Sequence, residues 1–333
     1  MRAILVRDET QVAEARRGAV AQARGLGFGE EDAGRVAIVA TELATNLVKH
    51  GRGGELLVGA YDDRTGSGVE CLALDKGPGM ADVATSLRDG HSTAGSSGTG
   101  LGAIVRGSHD VDIYSQPGLG TAILVRLRQG RPPNAKPSPE PVSGAINVPK
   151  SGEEACGDAW CRKAHGSGFK LMVADGLGHG PVAAEAARVA VQVFLAEHAG
   201  TPGQILDCMH LALRPTRGAA VSIADVDLDR GSVVFAGIGN VAGVLITSAG
   251  ARRMVSHNGT LGHMAKRVQE FTYPIAGSPL VVLCSDGLAT SWALDRYPGL
   301  AQRHPTLIAG VLYRDFNRGR DDVTVLVARG EAA

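Results

Sequence analysis

Acidic residues recur at turns in the second half of the chain. Asp158 stands in CGDAW, Asp175 in VADGLGHG, Asp286 in CSDGLAT, and Asp321 with its neighbour Asp322 in RDDVT. Hard divalent cations take several carboxylate oxygens plus water. Two such ions about 4 Å apart hold a phosphate and a bridging hydroxide for in-line attack. A single Asp-Gly pair is an ordinary turn former, but carboxylates from separate strand ends can converge on one site, as that chemistry requires.

The first half carries a different set. Glu42 and Asn46 are four residues apart in a helical stretch, so their side chains leave one face. A carboxylate there can accept a hydroxyl proton, and an amide oxygen can hold Mg2+. Asp75 opens the turn DKGPGM after an apolar run and can accept a hydrogen bond from an exocyclic amine. The run GTGLGA at 98–103 leads into a helical stretch whose first amides can receive phosphate oxygens.

The elements that must position these residues follow from apolar spacing. TQVAEARRGAVAQARGLG predicts a helix that ends in glycines. EEDAGRVAIVATELATNLVKHG predicts a second, with Val36, Val39, Leu43 and Leu47 on one stripe and Gly51 as terminator. AILV, ELLVGAYD, GVECLALD, VDIYSQ and TAILVRL predict strands of a mixed sheet with helices on one face. RQGRPPNAKPSPEPVSGA, at 128–145, holds five prolines and no apolar periodicity, which predicts an extended linker over 129–145. Beyond it KLMVADG, AAVSIADVDL, SVVFAGIG, VAGVLITS, PLVVLCSDG and DDVTVLVARG read as strands. PVAAEAARVAVQVFLAEH reads as a helix with Pro181 in its first turn. The chain thus divides into a domain at 1–128, the linker, and a domain at 146–333, where sheets lie between helices.

Size and composition bound the function. At 333 residues the chain exceeds a usual single core, and 44% hydrophobic with 20% charged residues excludes disorder or fibre. Lys+Arg and Asp+Glu balance at 34 each without a basic stripe, which argues against nucleic acid as partner. Five scattered cysteines lack a CxxC or paired His, so reduced thiols rather than a zinc site are expected. MRAILVRDET is too charged for a signal peptide and no apolar run reaches membrane-spanning length, so a cytoplasmic protein without a membrane partner is expected.

The ordered set ExxxN on a helix, DxGxG after a strand and GxGxG before a helix resembles the Bergerat-fold (GHKL) ATPases. Within them, LGFGEEDAGRVAIVATELATNLVKHG resembles the RsbT-like serine kinases of anti-anti-sigma proteins. The resemblance covers nearly all of 1–128 and implies ATP with Mg2+. It implies Asn46 on Mg2+, Asp75 on adenine, and Gly77 and Gly79 shaping the adenine turn. Gly98, Thr99, Gly100, Leu101 and Gly102 would lie at the phosphates, Thr121 near the base, and Glu42 would be general base toward a serine hydroxyl. A sensor histidine kinase would need a phospho-accepting His upstream of the ExxxN helix, and none is there.

The aspartates, in their order and context, resemble those of PPM-type metal-dependent serine/threonine phosphatases, in the RsbX/SpoIIE-like subgroup. VPKSGEEACGDAW and DGLGHG carry the likeness, which spans roughly 146–330. It implies two Mn2+ or Mg2+ ions, held by Asp158 and Asp175 with the Gly176 carbonyl, and by Asp286 and Asp321; Asp322 is the adjacent candidate. His179 is open between a proton donor and a structural residue at a helix start. Asn240 and the loop from Gly259 to Gly262 match family loops near the site. The implied fold class is α+β: a Bergerat-type α/β sandwich followed by a PPM-type αββα sandwich.

Together the resemblances imply a bifunctional switch, a serine kinase fused to a phosphoserine phosphatase. Its implied partners are STAS-domain substrates in a partner-switching pathway, with a sigma factor or another downstream effector beyond them, and the kinase class allows a homodimer. Two alternatives stay open. In one, the first half is an ATP-dependent, anti-sigma-like binding module and only the phosphatase is catalytic. In the other, nucleotide regulates the phosphatase.

Overall fold

The computed structural model describes residues 1–63, 66–87, 100–129, 142–197, 199–265, 268–275 and 277–330. The chain packs as two compact units. The first comprises Met1–Ser138 with Tyr297–Arg314, and the second Pro139–Arg296 with Asp315–Ala333.

The first unit contains β1 (Arg2–Val6), α1 (Glu9–Gly25), α2 (Glu30–Lys49), β2 (Gly54–Asp63), β3 (Gly66–Asp75), α3 (Val83–Ser86), α4 (Gly100–Gly107), β4 (Asp110–Gln116) and β5 (Gly120–Arg128). Its sheet runs β1-β2-β3-β5-β4. All four pairings are antiparallel, where the sequence predicts a mixed sheet. The short β2–β3 and β4–β5 turns explain the difference, since only antiparallel neighbours can be joined so tightly.

Helix α1 starts at a capping box in which Asp8 and Gln11 satisfy each other's backbone amides. It buries only small residues, Ala15, Gly18, Ala19 and Ala23, so it lies close to the sheet. Helix α2 buries the expected stripe of Val36, Val39, Leu43 and Leu47. These helices share a core with the sheet residues Val58, Val69, Cys71, Ala73 and Val125.

Leu72 and Leu74 alternate with that set and point to the other face, yet they too are buried. Their cover comes from Tyr297–Arg314. A Cβ on Gly310 would press on Leu72 and lie 3.4 Å from Leu74 Cδ2. Asp112 accepts from the His304 amide (2.8 Å) and from Arg303 Nη1 (3.2 Å). Arg126 Nη2 meets Thr306 Oγ1 at 3.3 Å. The division at 128 and 146 read from the sequence is therefore interrupted: residues 297–314 pack with the first unit, on a face expected to lack helices.

The second unit contains β6 (Val142–Val148), β7 (Asp158–His165), β8 (Gly168–Gly176), α5 (Pro181–Ala196), α6 (Pro202–Ala212), β9 (Ala219–Asp227), β10 (Ser232–Ile238), β11 (Ala242–Thr247), β12 (Gly250–Met254), β13 (Phe271–Pro274) and β14 (Leu280–Cys284). After α7 (Pro305–Phe316), which is counted with the first unit as far as Arg314, β15 (Val323–Arg329) closes it. Two antiparallel sheets result, β13-β10-β9-β8-β7 and β12-β11-β14-β15-β6. They pack face to face through Phe169, Leu171, Val173 and Phe235 on one side and Val281, Leu283 and Leu326 on the other. Helices α5 and α6 cover the outside of the first sheet, with Ala186, Ala190, Phe194 and Ile205 against Met172, Ala174, Val221 and Ile223.

One detail departs from the sequence reading. Strand β6 begins at Val142, inside the stretch read as linker, because it pairs along its length with β15 from Arg329↔Val142 to Val323↔Val148. The five cysteines are free. Among the described residues no helix is long and apolar enough to cross a membrane.

Candidate active sites

In the first unit, the buried stripe of α2 turns Glu42 and Asn46 toward the start of α4. A Cβ on Gly100 would lie 3.1 Å from Glu42 Oε2 and 3.5 Å from Asn46 Oδ1, so the backbone there passes close over both side chains. Asn46 Nδ2 is buried with no hydrogen-bond partner among the described residues. An unpartnered buried amide costs free energy until something satisfies it. Leu101 packs on the unit's core and Gly102 is buried. Gly98 and Thr99 lie outside the described residues.

Asp75, at the end of β3, is held in a defined orientation. Its Oδ1 accepts from the Gly77 amide (2.8 Å) and the Thr121 amide (3.1 Å). Burial pushes this carboxyl up, against the lowering effect of the two amides, Arg314 and His50. Gly79 adopts φ 69°, and a Cβ there would collide with the Gln116 carbonyl, so the turn requires glycine. Ser115 Oγ braces the turn by accepting from the Met80 amide (2.7 Å) and lying 2.9 Å from Thr121 Oγ1. Arg314 Nη1 donates to the Asp75 carbonyl at 3.1 Å. Neither Ser115 nor Arg314 carried a sequence signal.

In the second unit, antiparallel β7 and β8 place Asp158 directly opposite Asp175. Opposed residues in such a ladder project from the same face, so the two carboxyls are neighbours. Asp158 is buried, and its Oδ2 has no hydrogen-bond partner among the described residues. Burial raises Asp175 to about 8, reinforced by Asp158, Asp286, Asp321 and Asp322. Asp158 rises to about 7 through burial, opposed by hydrogen bonds from Ser285 and Thr324 and reinforced by Asp322 and Asp286. Asp286 is also raised, by burial first and Asp321 next, while Arg318 and Asn240 oppose the shift. Asn240 Nδ2 donates to Asp286 Oδ2 at 2.6 Å, which gives this loop residue a function the sequence left unassigned.

The neighbouring aspartates 321 and 322 separate into two roles. Asp322 is buried and accepts from the Lys150 amide (2.8 Å) and the Gly157 amide (2.9 Å), one on each oxygen. It therefore braces the approach to β7. Its own amide donates to Asp321 Oδ1 at 3.0 Å, and Asp321 stays exposed. At Gly176 the backbone runs so close to the Ala183 and Gly157 carbonyls that no Cβ fits. Leu261, between Gly259 and Gly262, bridges to Ala219, so that loop is read as structural.

Among the described residues no group of three or more His, Cys, Asp or Glu side chains forms a ready-made cation cage. The donor chemistry nonetheless fits cations. Asp158 and Asp175 are pushed toward neutrality by burial first and by neighbouring carboxylates next, and one buried oxygen lacks a partner. Added positive charge relieves both conditions. Asp286, Gly287, Arg318, Arg320 and Asp321 line a hollow of about 350 Å³. His179 Nδ1 lies 2.7 Å from Glu153 Oε1, which fixes the ring beside the start of α5.

Comparison with known proteins follows the same division. Residues 5–127 match the family described as histidine kinase-like ATPase domain, and residues 165–331 match stage II sporulation protein E (SpoIIE). Over 101 residues, 30% of this chain and 76% of the relative, there is 35% identity to the serine/threonine-protein kinase RsbT of Bacillus subtilis (strain 168). Over 102 residues, 30% of this chain and 51% of the relative, there is 29% identity to the phosphoserine phosphatase RsbX of the same organism. The second match thus spans about half of that relative's length. A chain solved in work on the bacterial stressosome, a modular system adapted to control secondary messenger signalling, is 28% identical with a TM-score of 0.54; 57% of this chain covers 100% of it. The chain belongs to the SpoIIE family through residues 165–331 and carries an RsbT-like, histidine kinase-like ATPase domain ahead of them.

Proposed function

We propose that this chain both adds and removes phosphate on serine residues of STAS-domain proteins in the cytoplasm. One observation carries the reading. A single chain holds Glu42 and Asn46 against the first turn of α4 and, separately, a set of aspartates whose proton affinity is raised by burial and by their carboxylate neighbours.

In the first unit, Asp75 reads the adenine amine with Oδ2 while Gly77 and Thr121 hold Oδ1. The first amides of α4 would receive the phosphates, and the Asn46 side chain would hold the accompanying Mg2+. Glu42 accepts the proton of the incoming serine hydroxyl. The serine Oγ–phosphorus bond forms as the bond from the γ-phosphorus to the bridging oxygen breaks, and ADP leaves.

In the second unit, Asp158 and Asp175 from adjacent strands, with Asp286 and Asp321 from two loops, would hold a pair of Mn2+ or Mg2+ ions. When bound, such a pair supplies an activated water and a hold on the phosphate oxygens. Asn240 orients Asp286, and Asp322 fixes the segment that leads into Asp158. Arg318 and Arg320, which line the same hollow as Asp286 and Asp321, add positive charge there.

The test uses a STAS-domain protein in two separate reactions. Mg-ATP with the full chain should add phosphate to a serine, and Glu42→Ala should lower the rate by about 10²-fold or more. Phosphoserine substrate with Mn2+ should be hydrolysed by the parent and not by Asp175→Ala. Equal phosphorylation by Glu42→Ala contradicts the kinase half, and hydrolysis that survives Asp175→Ala contradicts the phosphatase half.

A further inference from the structure

Helix α7 begins among first-unit residues and leads directly to the aspartate loops of the second. Every residue from Pro305 to Tyr313 is buried. Thr306 Oγ1 lies 3.3 Å from both Arg126 Nη2 and Glu70 Oε2, which are themselves buried. One turn from the helix end, Arg314 Nη1 donates to the Asp75 carbonyl at 3.1 Å. From Asp315 onward the chain belongs to the second unit. There the Phe316 carbonyl accepts from the Ala289 amide (2.9 Å), the Arg318 amide donates to the Gly287 carbonyl (2.9 Å), and Asn317 bridges to Leu288. The residues that leave α7 are thus stitched to the loop that carries Asp286, and the same stretch then reaches Asp321.

We propose that adenine nucleotide held in the first unit controls the phosphatase site through Arg314 and α7. The proposal rests on the reading of Asp75 as the adenine contact. Asp75 then links the two: its carboxylate meets the base and its carbonyl holds Arg314. Nucleotide that fixes the Asp75 turn also fixes that carbonyl, and with it the last turn of α7. A fixed helix end holds residues 316–322 in place, including Arg318, Arg320 and Asp321. The coupling works by ordering a segment, and it is reciprocal, so cations that order the same loop tighten nucleotide binding by the same factor. Arg314 is a positioning residue in this scheme and touches neither substrate.

Hydrogen exchange read by mass spectrometry tests this on the full chain, with free Mg2+ held constant and ADP absent or saturating. ADP should slow exchange in peptides spanning 316–324 about fivefold or more, the lower end of ordinary site-to-site coupling. It should change turnover of p-nitrophenyl phosphate by a similar factor. In Arg314→Ala, ADP should still protect the turn from Asp75 to Met80 but lose its effect on 316–324 and on turnover. Arg314→Lys, which keeps a donor, should retain part of the effect and guards against a misfolded variant. ADP that protects Asp75–Met80 and leaves 316–324 unchanged overturns the coupling alone. Coupling of full size in Arg314→Ala removes Arg314 as the link. ADP that protects neither segment overturns the nucleotide pocket and the coupling together.

Discussion

A carboxyl crowded by other carboxyls holds its proton until a cation replaces it, and Asp175 is in that position. Unfolded, an aspartate titrates near 3.8, whereas in the fold Asp175 does so at about 8 and Asp158 at about 7. Between those values the folded protein binds more protons than the unfolded chain. The stability these groups contribute is therefore complete below about pH 4 and lost as pH rises toward 8. Metal-free protein should melt about 5 °C lower at pH 8.5 than at pH 5, with cations restoring most of the loss. In Asp175→Asn the pH dependence should flatten. Thermal melts in chelator across that range check it, and a parent that is more stable at pH 8.5 contradicts the crowding. The aspartates themselves were legible because Asp175 and Asp286 follow apolar runs and Asp158 and Asp321 lie within two residues of a glycine. Their supporting partners were not, since Asn240 meets Asp286 from 46 positions away and Arg314 meets Asp75 from 239. Nor did sequence separate Asp321 from Asp322; only the amides of Lys150 and Gly157 do that.

At the scale of elements, burial of charge shows how the first unit holds its added helix. Arg126 donates to Glu70 Oε2 from Nε (2.9 Å) and Nη2 (2.8 Å), to Asp63 Oδ2 from Nη1 (2.6 Å), and lies over the Tyr61 ring. Removing the arginine strands two acids in a buried setting. Arg126→Met should therefore cost about 3–5 kcal/mol, and Glu70→Met with Arg126→Met should cost less than Arg126→Met alone. Denaturant melts decide this, and a double variant worse than the single one contradicts the account. Periodicity made α1, α2 and the long β2 and β3 legible, because one buried face imposes its spacing. It failed for β6, whose proline-rich surroundings read as linker and whose strand character comes from pairing with β15 at the far end of the chain. It failed as well for the sheet of the first unit, where turn length rather than residue type decides strand direction.

At the scale of the whole molecule, the first unit is built from two separated parts of the chain. Ending the protein at Ser138 removes Tyr297–Arg314 and uncovers Leu72 and Leu74, together with the network at Arg126. Such a fragment should bind a hydrophobic dye and melt at least about 5 °C below the first transition of the full chain. A fragment as stable as the parent would show that the added segment contributes nothing. On the proposed function, one chain fixes the two domains at one to one, so net phosphorylation would follow the conditions at each site rather than protein abundance. The most direct test follows phosphoserine on a STAS-domain protein, by intact-mass spectrometry, with full chain, Mg-ATP and Mn2+ present together. With Asp286→Asn the phosphorylated form should accumulate, and with the parent it should settle at a lower steady level while ATP is consumed continuously. Equal levels in the two reactions, or no phosphate in either, would contradict the claim that this chain runs both reactions.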